Sequence, residues 1–273
     1  MLHYRKKLLL NKKDFLVRSL EIKLTNSKKL HFPDFIIIGA QKAGTTWLHN
    51  HLSNHEEVYF PKLEGVHDPS ELKYFDTRLC NSIKWYSDLY KNNNGKIKGE
   101  KSPGYYFMPV ERIKMVKQLM PDLKVILILR NPVERAWSQA VMNLRQFHQK
   151  NYEENKADYI DFLNTSLYRG MYSNYIKNWQ KFYSEDQFKI YLYDEIKNDP
   201  LSLITKIAKF INIKSNYSTF SEINLKKKIN KNPPEPMPEE VRNMLAQAYQ
   251  KEVSILCNEL HLEVNDWLYE VAV

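Results

Sequence analysis

Apolar and polar positions along this chain fall into short, nearly unbroken apolar runs separated by longer stretches of helical period. Phe35-Ile36-Ile37-Ile38-Gly39 is the first such run, and residues 123–129 (Leu-Lys-Val-Ile-Leu-Ile-Leu) form the strongest, apolar almost throughout. Runs of this length and β-branched content suit strands buried on both faces, the condition of a parallel sheet covered by helices. Around them the pattern predicts a helix from about Thr45 to Ser53, a short strand near Val58-Tyr59-Phe60, a modest strand over 96–99 and a helix over 110–120. Arg130-Asn131-Pro132 ends the strongest strand, and the proline can occupy the first turn of a helix that carries Glu134 to Gln149. Further on, the pattern predicts a helix around 173–182, a strand over 188–193, a helix from Asp199-Pro200 to Ile211 and a last helix over roughly 239–260. Strands alternating with helices predict an α/β fold, a single domain with a central parallel sheet flanked by helices, whose ligands bind at the carboxyl edge.

Two stretches stand apart from this alternation. Residues 1–30 carry Arg5, Lys6, Lys7, Lys12, Lys13, Lys28 and Lys29 around leucines of no clean period, and read as a basic arm or short helix ahead of a domain spanning 31–273. Such an arm is a solvated or docking face, or else a specific contact with an anion or a membrane. The stretch 224–238, with Lys226, Lys227, Lys228, Lys231 and four prolines, reads as a basic loop. The intervals 61–95 and 143–168 read as loops that set specificity, with His67 among them.

Composition narrows the class. With 273 residues, 43% hydrophobic and 27% charged, the chain has the make-up of a soluble globular protein and not of a disordered or collagen-like one. Leu8-Leu9-Leu10 is too short to span a bilayer and no signal-peptide pattern follows it, so a cytoplasmic protein is expected. Two cysteines, Cys80 and Cys257, give neither a disulfide framework nor metal-ligand spacing, so no metal is expected. A formal charge of +9 calls for an anionic partner without choosing among nucleic acid, a membrane surface and a small polyanion.

The choice comes from residues 35–47. Strand, glycine-bearing turn and helix start together approach a P-loop, G-x-x-x-x-G-K-[ST], but Thr45 stands where that pattern has lysine, and the lysine lies inside the loop at Lys42. A triphosphatase needs the helix-start lysine on its β/γ-phosphates; a loop holding one 5′-phosphate needs backbone N–H groups, hydroxyls and a cation, which Lys42, Ala43, Gly44, Thr45 and Thr46 supply. Trp47 is available to stack on a base or to pack inside. Arg130, at the end of the strongest strand, and Ser138, about two helical turns on, can clamp a second phosphate. Two phosphate sites on one sheet edge point to a nucleotide phosphorylated at two positions.

In order along the chain come Lys42-Ala-Gly-Thr-Thr-Trp47, Glu71-Leu-Lys-Tyr-Phe-Asp76, Glu100-Lys-Ser-Pro-Gly-Tyr105, Leu129-Arg-Asn-Pro-Val-Glu-Arg-Ala-Trp-Ser138, Gly170-Met-Tyr-Ser-Asn-Tyr-Ile-Lys-Asn-Trp179 and Tyr193-Asp-Glu-Ile-Lys-Asn-Asp-Pro200. Over residues 33–245 this set resembles the sulfotransferases, most of all the heparan sulfate type. The resemblance implies a P-loop-like fold and transfer of a sulfuryl group from 3′-phosphoadenosine 5′-phosphosulfate (PAPS) to an acceptor, leaving adenosine 3′,5′-bisphosphate (PAP). It implies the 5′-phosphosulfate loop at residues 42–47, the 3′-phosphate on Arg130 and Ser138 with a lysine of the basic loop, Lys231, and a saccharide acceptor. It also implies Glu71 as general base and Lys101 as a second lysine near the reacting centre. The chemistry wants the same types: a carboxylate to take the acceptor's proton, and a cation, Lys42, where charge builds on the leaving phosphate. Glu100 is a partner for Lys101 or only a strand-end charge, and His67 is a rival base. The chain departs from the animal enzymes in lacking their cysteine pair before the last helix and their membrane anchor, which suggests a bacterial-like soluble relative. The alternatives are a kinase with a degenerate phosphate loop, against which Thr45 speaks, and a basic nucleic-acid-binding protein, which the 18 tyrosines allow but no motif supports.

Overall fold

The computed structural model describes residues 2–24, 30–65, 68–214, 225 and 235–269. A first helix, α1 (Leu2–Leu24), is followed by β1 (Phe35–Gly39), α2 (Thr45–Ser53), β2 (Val58–Tyr59), α3 (Tyr74–Thr77), α4 (Ile83–Asp88), β3 (Ile97–Lys101), α5 (Val110–Leu119) and β4 (Lys124–Leu129). Then come α6 (Pro132–Ala140), α7 (Lys156–Ser166), α8 (Tyr172–Gln180), β5 (Phe188–Leu192), α9 (Tyr193–Asn198), α10 (Pro200–Phe210) and α11 (Glu239–Asn258). All strand pairings are parallel, in the order β2-β3-β1-β4-β5. The predicted α/β architecture is therefore present, and the two most apolar runs, β1 and β4, lie side by side at its centre, where Phe35 to Ile38 and Val125 to Leu129 are almost wholly inaccessible to solvent.

Chain direction follows from local chemistry. Asn131 caps α6 through its side-chain oxygen, which accepts from the Val133 N–H at 3.0 Å, and Pro132 fills the first helical position. Beyond Ala140 the helix continues to Phe147 in the wider π geometry, so the predicted long helix exists with a change of pitch in its second half. The intervals read as loops, 61–95 and 143–168, are in fact partly helical, holding α3, α4, α7 and the end of the π-helical stretch. α3 and α4 are four and six residues long, too short to display a 3.6-residue period. The basic lysines of 226–231, with Lys231, and His67 lie outside the described residues.

Because every strand runs the same way, the turns after β1, β3, β4 and β5 open on one edge. That edge is where a doubly wound sheet presents its crevice.

Candidate functional site

At the edge of the sheet, two glycines set the shape of the turn after β1. Gly39 has φ +151°, and a Cβ there would lie 2.6 Å from the Tyr106 ring and 2.9 Å from the Pro103 carbonyl oxygen. Gly44 has φ +91°, and its Cβ would meet Ile196 at 2.4 Å and Tyr193 at 3.1 Å, so the loop can lie against the start of α9 only without a side chain. Between them Lys42 also takes a positive φ, 71°, a conformation that side chains adopt rarely and that clusters at ligand sites. Ala43 and Thr45 are buried and Thr46 is exposed. The first-turn N–H groups of α2 lack intrahelical acceptors, as at any helix start, and face the mouth of the loop with the positive end of the dipole.

The Lys42 ammonium lies 3.4 Å from the Met142 sulfur in the π-helical stretch and makes no ion pair among the described residues. Burial, reinforced by the Arg130 charge, lowers its pKa. Arg130 donates from Nη1 to the Lys42 carbonyl at 3.3 Å, pairs through Nη2 with Glu134 at 2.9 Å and spreads its guanidinium over the Tyr193 ring at 4.7 Å. Its Nε is buried without a partner. Ser138 lies half-buried on α6, the helix that begins beside Arg130. Two neighbouring cations, one with no carboxylate and one with an orphaned donor, make a place for an anion. Trp47 is nearly enclosed: its Nε1 donates to the Leu225 carbonyl at 3.0 Å and its ring tilts against His51 at 4.7 Å. Of the two roles left open for it, packing accounts for most of its surface.

One strand over, Glu71 and Lys101 are brought together, their backbones forming an isolated parallel bridge at the end of β3. Glu71 Oε1 is 3.7 Å from the Lys101 ammonium and Oε2 is 2.7 Å from that of Lys73. The Lys101 side chain is 2% exposed and also donates to Asp68 at 3.0 Å. Burial pushes the Asp68 carboxyl up, but hydrogen bonds from Ser70 and Lys101 outweigh it and hold the group down at about 2. Asp68 and Lys73 escaped the sequence reading, although Asp-Pro-Ser before Glu71 is a turn signal that could have flagged the first. His49, one turn along α2 from Thr45 and Thr46, is nearly inaccessible, with an unpartnered Nε2. Burial, then the Lys101 charge, lowers its pKa to about 4.

Glu100 is neither a partner for Lys101 nor a strand-end charge. Successive residues of a strand face opposite ways, so Glu100 turns from Lys101 into a closed cage. There it accepts from the hydroxyls of Tyr86, Tyr90 at 3.3 Å and Ser102 at 2.8 Å, with Tyr105 as a further partner. Burial raises its pKa against those bonds. The Ser102 and Tyr105 hydroxyls in turn accept from the N–H groups of Lys73 and Phe75, so the cage holds the segment that carries Glu71. A last unforeseen residue is Arg169, which donates to Gln41 in the loop at 2.7 Å while its guanidinium covers Phe107 at 5.3 Å.

A sequence model of the sulfotransferase domain family matches residues 32–254. Heparan sulfate glucosamine 3-O-sulfotransferase 6 of Mus musculus is 26% identical over 190 residues, which are 67% of this chain and 53% of that one. This chain spans about half, or less, of the length of the curated relatives it matches. A sulfotransferase from Alicyclobacillus acidocaldarius superposes with a TM-score of 0.65 at 22% identity, covering 87% of this chain and 99% of that one. A mouse sulfotransferase complexed with PAP superposes with a TM-score of 0.53 at 15% identity, covering 90% of this chain and 92% of that one.

Proposed function

This chain belongs to the sulfotransferase domain family, and from that premise we propose that it transfers a sulfuryl group from PAPS to a hydroxyl of a carbohydrate acceptor, with Glu71 as general base. The loop suits such a nucleotide: Lys42 is a half-buried cation without a counter-ion among the described residues, and Arg130 keeps a buried, unpartnered Nε beside it. Residues 42–47 would hold the 5′-phosphosulfate and Arg130 with Ser138 the 3′-phosphate; when bound, the group supplies the sulfuryl to be moved and the phosphate that leaves. A known relative in complex with PAP supports that choice of nucleotide at the level of the fold. Lys231 remains the proposed third contact to the 3′-phosphate.

The observation that carries the reading is the carboxylate of Glu71, held by Lys73 and Lys101 one strand from the phosphate loop. Glu71 takes the proton of the acceptor hydroxyl as that oxygen bonds to sulfur. Lys101, itself steadied by Asp68, fixes the direction in which Glu71 faces the acceptor. Lys42 places positive charge where the departing oxygen becomes negative, and does so from a partly dehydrated position in which that charge acts more strongly than in water. The carbohydrate acceptor rests on the Glu71 motif and on the named activity of the 3-O-sulfotransferase relative. Cys80 and Cys257 are both free thiols, which supports a reducing, cytoplasmic setting.

The test is Glu71→Gln. Turnover should fall at least about 100-fold while the dissociation constant for PAP stays within about twofold. Unchanged turnover removes Glu71 as base. A labelled-sulfate screen over sugars, phenols, lipids and simple alcohols tests the acceptor, and transfer to phenols alone overturns the carbohydrate reading.

A further inference from the structure

The helix α1 docks by one face and leaves the other bare. Phe15 and Ile22 pack on the core, and Glu21 accepts from the Ile83 N–H at 3.0 Å and pairs with Arg18. The opposite face presents Leu16, Val17, Leu20 and Leu24, which are 62%, 42%, 60% and 87% exposed. They stand at the i, i+1, i+4 and i+8 positions that form one stripe on a helix, with the exposed Lys13 continuing the stripe one turn before Leu16 and the exposed Lys23 beside it. Among the described residues only Tyr168 and Leu268 are other large apolar side chains of comparable exposure, so four of the six exposed ones described lie on this one helix. An aliphatic stripe of that kind in water marks a surface that something covers.

Charge identifies what covers it. Residues 1–30 contain nine Lys or Arg against two Asp or Glu, a surplus of seven in a chain whose whole formal charge is +9. A second copy docked stripe to stripe would bring two such surpluses together and be repelled. An anionic lipid surface attracts the lysines and takes the leucines into the boundary between headgroups and acyl chains. No described helix is long and apolar enough to cross a bilayer, so the geometry is that of a helix lying in the plane of the surface. We propose that α1 is a peripheral membrane anchor that lays Leu16, Val17, Leu20 and Leu24 into an anionic lipid surface, bringing the sheet and its site to the membrane.

Sedimentation of the full chain with vesicles tests this directly. It should bind phosphatidylcholine vesicles containing about one-third phosphatidylserine, bind pure phosphatidylcholine at least about tenfold more weakly, and lose most binding when salt rises from about 0.1 M to 0.5 M. The triple variant Leu16→Ser, Leu20→Ser, Leu24→Ser should weaken binding to the anionic vesicles by at least about tenfold, with melting temperature and PAP binding unchanged because these side chains face solvent. A single Leu20→Glu variant serves should the triple variant fold poorly. Failure to bind anionic vesicles overturns the proposal. So does equal binding by the serine variant, which would leave only diffuse attraction by lysines. A concentration-dependent dimer that the serine substitutions dissolve, without vesicle binding, would assign the stripe to a second copy instead.

Discussion

Lys42 combines three unusual properties: a backbone in the left-handed region, an ammonium group lowered in pKa by burial, and a thioether where a carboxylate would ordinarily sit. A residue held that way suits a charge that appears during reaction more than one already present in a resting ligand. Lys42→Ala should therefore lower turnover at least about tenfold more than it weakens PAP binding, measured by single-turnover kinetics beside calorimetry. Equal losses would make it a plain anchor. His49 gives a second prediction at this scale. Its ordinary value is 6.5 and burial with the Lys101 charge brings it to about 4 in the folded chain, so the unfolded chain binds the extra proton. The stability due to its neutral form is complete above about pH 6.5 and is lost as pH falls toward 4. At about pH 4.5 that loss should be on the order of 2 to 3 kcal/mol. A His49→Gln variant should lose correspondingly less between about pH 7 and pH 4.5 in urea unfolding, and parallel curves would refute the assignment. Glu71 and Lys101 could be paired from the sequence because each lies in a recognisable motif. Asp68, Lys73 and Arg169 could not, since which lysine meets which carboxylate depends on how the 61–76 segment lies beside β3, and no periodicity encodes that.

The elements themselves were more legible. β1, α2 and β4 announce themselves through continuous apolar content and a glycine turn, and α2 begins at Thr45 and ends at Ser53 as its pattern predicts. α3, α4 and α9 were invisible, each being six residues or fewer. α7, although eleven residues long, has its buried positions at Tyr159, Leu163 and Ser166 only, too thin a stripe to distinguish from loop. The strand β3 is the instructive case, because its last two residues are both charged and yet both buried. One meets Glu71 and Asp68 and the other the tyrosine cage, a division that the pleat makes and that composition hides. At the junction of elements, Gly44 is the position most sensitive to a single methyl group. Gly44→Ala forces a Cβ into Ile196 and keeps a φ that alanine resists, so it should destabilise the fold by about 1 to 3 kcal/mol. PAP affinity should fall with it, since the loop must shift to relieve the contact; thermal unfolding with and without PAP checks both.

Across the whole molecule, the candidate site is assembled from the turns after β1 and β4, the segment that follows β2, the end of β3 and the start of α9, which come together only in the folded sheet. A ligand that joins them stabilises every part at once. At about 100 times its dissociation constant, PAP should add roughly 2.7 kcal/mol, seen as a rise of about 5 °C in melting temperature. ATP with magnesium should give much less, because Thr45 leaves the helix start without the lysine that a γ-phosphate requires. Equal shifts from both nucleotides would count against a 3′,5′-bisphosphate site. The cage around Glu100 reaches across the same scale, tying α4, β3 and the turn at Tyr105 to the segment that bears Glu71. Removing a member costs the others: without the carboxylate the hydroxyls of Tyr86 and Tyr90 lose their acceptor inside the core, and each hydroxyl removed leaves a buried carboxylate with one donor fewer. Glu100 and its tyrosines therefore act as one unit, and a substitution at any of them reaches the segment that bears Glu71 without touching Glu71 itself.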